Sequence, residues 1–294
     1  MKILCTMPGK YGDCFWSLPT ARAISEAAGE PVDFLVSPKY ASHVDLLRRQ
    51  PYLGKVDVWP SWQTQDVGPA PMSPWSPFND ELHHQPLDLN GVHYDHVVHL
   101  GYRAWPDRPL PQCIYEQTKR EYPELPIAPL DLDRPWIRTT YPLPACDLAL
   151  GFTDEHFELK YGLYWLLYKR FGEPKDSSPY KIANLSTSPR WCAAGASGFD
   201  WQAAAAWLAS AKLFVGCNSA LHVLACATGA PVVMLEPSEA RWNDIFYAYG
   251  KTGSQVTLVT GNDGRPTFDA RHLIDTIVGK LAVQTEASNG VRAL

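Results

Sequence analysis

Short apolar runs alternate with longer mixed segments along the first part of the chain. Continuous apolar runs are typical of buried parallel strands, whereas apolar positions three and four residues apart indicate helices. The pattern predicts strands at residues 3–7, 32–36, 56–59 and 95–100, and helices at 14–28 and 39–49, the first of which ends at Gly29. This alternation implies a parallel sheet with right-handed crossovers.

A Pro-rich stretch at residues 123–144 separates this alternation from a second one. The second predicts strands at 148–152, 182–185, 213–215, 230–235 and 256–259, and helices at 157–171, 201–210, 239–249, 268–281 and before Gly229. The expected fold is therefore α/β, with two Rossmann-like domains facing across a cleft and ligands at the carboxyl ends of the strands. The expected domains are 1–140, with a Pro/Trp-rich insertion, and 145–285. A polar tail, 286–294, follows, and fraying is expected beyond Val283.

Composition narrows the class of protein. A chain of 294 residues with 46% hydrophobic content can build two cores. The net charge of -5 gives no general attraction to nucleic acid or anionic membranes. Seven cysteines without a Cys-x-x-Cys pair predict reduced thiols, and no apolar run reaches the length of a membrane span or a signal core. We expect a cytoplasmic protein.

The segment Gly216-Cys217-Asn218-Ser219-Ala220-Leu221-His222 joins an apolar strand to a helix rich in small residues. Unbonded N–H groups at a helix start favour anions. Since another apolar strand follows Gly229, the segment forms a βα unit of the kind that holds a phosphate. It predicts a nucleotide or another phosphorylated ligand.

The first βα turn, Pro8-Gly9-Lys10-Tyr11-Gly12-Asp13, places a carboxylate near a helix start. The turn matches neither Gly-x-Gly-x-x-Gly nor the phosphate loop that ends in Gly-Lys-Ser/Thr. Asp13 can cap the helix or accept a proton from an attacking hydroxyl, and capping is favoured by spacing alone. Lys10 is either a surface lysine or a contact for an anionic group.

Several motifs resemble the ADP-heptose heptosyltransferase-like glycosyltransferases, family 9 of the GT-B fold. Gly12-Asp13 followed by Leu18-Pro19 is similar to their N-terminal signature, and Tyr94-Asp95-His96-Val97-Val98-His99-Leu100 resembles their Tyr-Asp-x-Val-Ile-Asp-Leu strand. The segment that begins at Val215 resembles their Val-Gly-x-Asp-Ser/Thr-Gly-x-x-His-x-Ala motif, and Gly229-Ala230-Pro231 matches the Gly-x-Pro that follows it. These motifs occur in the family's order and span most of the chain.

The resemblance implies transfer of a sugar from a nucleotide-sugar donor to an acceptor hydroxyl, with inversion and without a metal or another cofactor. It implies that Asp13 is the general base. The residues that it assigns to donor binding are Thr153, Asn218, Ser219, Ala220, Leu221, His222 and Glu236. His222 either reaches the phosphate or packs within its helix, and Glu236 either holds a sugar hydroxyl or caps the next helix.

The chain also departs from the family pattern. Asn218 replaces an Asp, Ala220 replaces a Gly, and His99 replaces the Asp of the middle strand. These replacements motivate one alternative, a nucleotide-binding scaffold that has lost transfer. The acceptor is a glycan, a small molecule or a modified DNA base. A hydroxymethyl-pyrimidine transferase of viral type is therefore a second alternative.

Residues predicted for the acceptor side are Lys10, His99, Tyr102 and Arg103. His93, His96 and His99 also suggest a metal site. On a strand, however, a spacing of three places neighbours on opposite faces, so only His93 and His99 would share one. No metal site is therefore predicted.

Overall fold

The computed structural model describes residues 1–59, 91–101, 108–151, 166, 170, 180–185, 199–217, 219–237, 254–260, 266–267 and 269–290. Its contacts divide the chain into two compact units. The first contains Met1–Thr139, and the second contains Thr140–Asn243 and the described segments beyond it. The helices predicted at 157–171 and 239–249 fall largely or wholly outside the described residues.

The first unit is built on a parallel four-stranded sheet. Its elements are β1 (Ile3–Met7), α1 (Tyr11–Ala28), β2 (Val32–Val36), a 3-10 helix (Pro38–His43), α2 (Val44–Leu47), β3 (Leu53–Val58), β4 (His96–His99) and α3 (Leu110–Glu121). The strand order is β3-β2-β1-β4. Cys5 lies between Phe34 and Val98 in the register, and all three side chains are fully buried. The apolar runs thus form the centre of the sheet.

The second unit is built on a six-stranded sheet. Its elements are β5 (Cys146–Gly151), β6 (Ile182–Asn184), α4 (Trp201–Ser210), β7 (Ala211–Cys217), α5 (Ala220–Thr228), β8 (Val232–Pro237), β9 (Ser254–Thr260), β10 (Pro266–Thr267) and α6 (Ala270–Gly290). The strand order is β10-β9-β8-β7-β5-β6, and the pair of β10 with β9 is antiparallel. Leu273, Ile277 and Leu281 of α6 pack against the leucines and valines of β5, β7 and β8.

Most predicted strands are confirmed, and so is the helix at 201–210. The helix predicted at 39–49 is wrong as a single element. The 3-10 helix at Pro38–His43 is kinked at Tyr40, which has non-helical angles of φ -119 and ψ 27. The α-helical part, α2, covers only Val44–Leu47. Helix α3 is not predicted from the sequence, since prolines suggest a break, but Pro is well suited to a first helical turn. Helix α6 continues to Gly290, where fraying from Val283 was expected.

The segment after α3 is fixed to α1 by buried side chains. Pro19 lies inside α1 and has no N–H to donate to the carbonyl of Phe15. The indole Nε1 of Trp136 donates to that carbonyl instead, at 3.0 Å. The buried Arg22 guanidinium donates to the carbonyls of Asp131 and Pro135, the latter at 3.1 Å. This segment therefore belongs to the core of the first unit.

Replacing Arg22 with Met should reduce the stability of the first unit by about 2 kcal/mol, because buried carbonyls lose their donor while the aliphatic volume is kept. Urea denaturation of wild type and variant measures the loss. Arg120→Met is the control, since Arg120 is exposed and its guanidinium donates to Gln117 Oε1 of the same helix at 2.7 Å. Its effect should stay within about 0.5 kcal/mol. Equal losses in both variants would contradict the buried contact.

Candidate functional site

Asp13 lies at the carboxyl edge of the first sheet, in the turn that leaves β1. It is the third residue of α1, and its Oδ2 accepts a hydrogen bond from the Lys10 N–H at 3.1 Å. A carboxylate in the first turn also interacts favourably with the helix dipole. Asp13 therefore caps α1, but from the third helical position, because the helix begins at Tyr11 instead of residue 14 and Lys10 is the N-cap. The proton-accepting role stays a prediction.

Gly9 explains how the Asp13 carboxylate fits against the turn. A Cβ added at Gly9 would lie 2.8 Å from Asp13 Cβ and 3.0 Å from its Oδ2. Real side chains do not approach this closely, so the position needs glycine for close packing rather than for an unusual backbone angle. The carboxylate is thus held between the backbone of Gly9 and the N–H of Lys10.

The environment of Asp13 favours a basic carboxylate. The residue is half-buried, and its removal from water raises the pKa of the carboxyl above the ordinary value for Asp. The hydrogen bond from the Lys10 N–H and the Lys10 charge act in the opposite direction and offset part of this increase. A carboxylate with a raised pKa is a better proton acceptor for a hydroxyl.

The corresponding edge of the second sheet carries the start of α5. Ser219 is the N-cap residue, and its Oγ accepts from the N–H of His222 at 3.3 Å. The N–H groups of Ala220 and Leu221 have no carbonyl one turn earlier within the helix. Such N–H groups, together with the helix dipole, suit a phosphate.

Two glycines bring this helix start close to the strands. Gly151 and Gly216 are register partners at the ends of β5 and β7. A Cβ at Gly216 would lie 2.2 Å from the carbonyl oxygen of Gly151, and a Cβ at Gly151 would lie 2.5 Å from the Phe214 ring. The ring of Phe214 and the Cβ of Leu221 occupy the space beside the glycines. Close packing alone therefore accounts for both residues.

His222 is fully buried within α5. Its Nε2 lies 3.6 Å from Cys226 Sγ, one turn along the helix, and burial lowers its pKa to about 4. The imidazole is therefore neutral at neutral pH. His222 therefore brings no positive charge to the start of α5, and its N–H already donates to Ser219 Oγ. This agrees with the packed interpretation of the two left open by the sequence.

The remaining predicted residues are spread over both units. His99 ends β4, where its Nδ1 lies 2.8 Å from Thr6 Oγ1 and its N–H donates to Tyr122 Oη at 3.0 Å. Glu236 lies in β8, opposite Thr257 of β9. Four predicted residues, Tyr102, Arg103, Thr153 and Asn218, fall outside the described part of the chain.

The histidines of the middle strand are not arranged as expected. Strand β4 begins at His96, so His93 precedes the strand and does not share a strand face with His99. Among the described residues, no group of three His, Cys, Asp or Glu side chains is placed to hold a metal ion. None of the described helices combines the length and apolar character needed to cross a membrane.

Three neighbours of the candidate residues, Thr6, Gly9 and His43, do not follow from the sequence patterns. Thr6 is a polar residue inside an apolar strand, and this interruption is the signal that would have marked it. The sequence shows that Gly9 is a glycine in a βα turn, but it does not show that Gly9 lies against Asp13. His43 carries no signal, because its position depends on a 3-10 helix where an α-helix was predicted.

No model of a protein family matches the chain, and a search of curated proteins finds no match either. Solved structures do match. A family 9 glycosyl transferase from Veillonella parvula aligns with a TM-score of 0.61 at 11% identity, over 96% of this chain and 97% of that one. The E. coli heptosyltransferase WaaC, with ADP-2-deoxy-2-fluoro heptose, gives 0.58 at 17% identity, over 95% and 99%. The E. coli ADP-heptose heptosyltransferase II gives 0.57 at 15% identity, over 97% and 100%.

These alignments extend over nearly the whole chain and over nearly the whole of each matched structure. The predicted α/β fold with two Rossmann-like domains is therefore confirmed, and it is the fold of the family that the sequence motifs resemble. At such low identity the likeness concerns the fold, and the chemistry has to be argued from the residues of this chain.

Proposed function

We propose that this protein is a glycosyltransferase that moves a sugar from a nucleotide-sugar to an acceptor hydroxyl. The observation that carries the proposal is Asp13, a half-buried carboxylate with a raised pKa at the carboxyl edge of the first sheet. Such edges are where ligands bind in open α/β sheets. A hydroxyl is a weak nucleophile, and a base at this position activates it.

The proposed reaction is a direct displacement. Asp13 accepts the proton of the acceptor hydroxyl while the hydroxyl oxygen forms a bond to the anomeric carbon of the sugar. The bond between that carbon and the diphosphate oxygen breaks, and the nucleoside diphosphate leaves with the electron pair. Attack opposite to the leaving group inverts the anomeric centre, and no metal or cofactor is required in this scheme.

The second unit supplies a site for the diphosphate in this proposal. The N–H groups of Ala220 and Leu221 at the start of α5 face no carbonyl within the helix, and the helix dipole favours negative charge there. Preorganised N–H donors stabilise the charge that develops on a leaving group. Ser219 shapes this helix start by capping it.

The experiment that tests the proposal is a titration of the protein with UDP-, GDP-, ADP-, dTDP- and CMP-linked sugars by calorimetry. ADP-heptose is included because a structural neighbour is an ADP-heptose heptosyltransferase. We expect one nucleotide class to bind selectively, followed by release of its diphosphate when glycans, small molecules and hydroxymethyl-pyrimidine DNA are offered as acceptors. Binding of no donor by the folded protein would contradict the proposal, and binding without transfer to any acceptor would favour a nucleotide-binding scaffold.

The same titration with Ala220→Pro locates the diphosphate. Ala220 is the first residue of α5, a position where proline fits the helix but has no N–H to donate. We expect the dissociation constant of the donor to rise about tenfold, because a charge-assisted hydrogen bond is lost. Ala220→Ser keeps the N–H and is the matched control. Equal affinities for both variants would place the diphosphate elsewhere.

A further inference from the structure

His43 lies at the centre of a buried cluster beside the first turn of α1. Its side chain is almost fully buried, and its Nε2 lies 3.1 Å from Cys14 Sγ. The rings of Tyr11 and Phe15 meet the imidazole edge-on, at centroid distances of 5.1 Å and 5.5 Å. Three of the first five residues of α1 therefore contact one histidine from the 3-10 helix.

The hydrogen bonds define the form of this histidine. His43 Nδ1 lies 2.5 Å from the carbonyl oxygen of Tyr40, which only accepts, so Nδ1 carries the proton. Burial lowers the pKa of His43 to about 4 and raises that of the Cys14 thiol well above its usual range. The pair is thus a neutral imidazole and a thiol, and the Cys14 S–H donates to the unprotonated Nε2.

A second contact fixes the same two segments. The hydroxyl of Tyr11 lies 2.8 Å from Ser42 Oγ, and the Tyr11 ring meets the Tyr40 ring edge-on at 5.2 Å. Residues on both sides of Asp13 in the sequence are thereby held to the 3-10 helix, whereas Asp13 itself contacts Lys10 and faces Gly9.

We propose that His43 is a positioning residue for Asp13: by holding Cys14, Tyr11 and Phe15, it fixes the rotation of the first turn of α1 and so the direction of the carboxylate. This inference rests on the proposed function, in which Asp13 is the base. A base displaced by a fraction of an ångström from its proton loses much of its effect.

Charged and titratable groups of the described residues lie close to Asp13. Lys10 offers its N–H and its charge from the same turn. Cys14 and Tyr40 lie close enough for the Asp13 charge to raise the pKa of the thiol and of the phenol. If the turn loosens, water reaches the carboxylate, and the pKa of Asp13 falls toward the ordinary value for Asp.

The test compares Cys14→Ala, which removes the thiol donor, with Cys14→Ser, which keeps a hydroxyl donor for His43 Nε2. His43→Phe keeps the edge-on ring contacts and removes both hydrogen bonds. We expect Cys14→Ala and His43→Phe to lower kcat about tenfold with an unchanged KM for the donor, and Cys14→Ser to stay within about twofold of wild type. The acidic limb of the pH profile should move to lower pH in the first two variants only.

This movement follows from the sign of the pKa shift. The base acts when deprotonated, so activity falls as the pH falls through its pKa, and a lower pKa moves the fall to lower pH. A merely structural role would lower the thermal midpoint without moving this limb. If Cys14→Ala folds and keeps the kcat and the acidic limb of wild type, the inference is overturned. This variant gives the decisive comparison because it removes a single heavy atom.

A measurement without substrate separates this inference from the proposed function. The carboxyl carbon of Asp13 is titrated by NMR in wild type and in Cys14→Ala. If wild type transfers no sugar, the proposed function fails, yet a lower Asp13 pKa in the variant still supports the positioning role. Identical titrations in the two proteins overturn that role, whatever the activity.

Discussion

Asp13→Asn is expected to lower the kcat for sugar transfer by about 10³-fold, within the usual range for loss of a general base. The dissociation constant of the nucleotide-sugar should not change, because the proposed donor site lies in the second unit. Asn has the shape of Asp, so the side chain still fits against Gly9, and its amide oxygen can still accept from the Lys10 N–H. Steady-state kinetics and calorimetry of the same samples measure the two quantities.

A matched control comes from the same sheet. Asp33 of β2 is half-buried and accepts from the Lys55 N–H at 2.7 Å and from Tyr94 Oη at 2.8 Å. Asp33→Asn makes the same chemical change near the amino end of the strand, and its kcat should stay within about twofold of wild type. If Asp13→Asn keeps the kcat of wild type, Asp13 is not the base. In wild type, the acidic limb should lie above the ordinary pKa of Asp, because burial raises the pKa of Asp13.

The alternation of strands and helices could be predicted because it depends on local patterns. The central strands of the two sheets, β1 and β2 in the first and β7 and β8 in the second, contain short apolar runs, as expected for parallel strands covered on both faces. Gly29 and Gly229 adopt the left-handed conformation, at φ 72 and φ 82, and they end α1 and α5 as the sequence indicated. Helix α3 could not be predicted, because a proline in the first turn of a helix and a proline in a loop look alike in a sequence.

The candidate site was predictable only in part. The position of Asp13 after β1 follows from the order of the elements, and so does the placement of Ser219 before α5. The burial of Asp13 and its contact with Gly9 depend on the three-dimensional course of the turn. The pairing of Cys14 with His43 joins residues 29 positions apart, and no local pattern predicts it. The neutral state of His222 likewise follows from its complete burial, which a helical spacing does not reveal.

Gly216→Ala is expected to destabilise the second unit by more than about 3 kcal/mol, which exceeds the usual cost of an overpacked side chain. The added Cβ would lie 2.2 Å from the Gly151 carbonyl oxygen. Strand β7 is bonded to β5 on one side and to β8 on the other, so it has no free direction in which to move. Urea denaturation, or failure to obtain soluble variant, reports the effect. Gly279→Ala is the control, because that glycine is exposed in α6 and its Cβ would meet no atom within 4 Å. It should stabilise the helix by about 0.5–1 kcal/mol.

A second substitution distinguishes the two glycines. The nearest obstacle to a Cβ at Gly151 is the Phe214 ring, at 2.5 Å, which a smaller side chain would remove. Phe214→Leu should therefore recover part of the stability lost in Gly151→Ala, a coupling that a double-mutant cycle measures. It should recover little in Gly216→Ala, because the obstacle there is a backbone oxygen of the neighbouring strand. Equal recovery in both backgrounds would mean that the ring, and not the approach of the two strands, makes glycine necessary at Gly216.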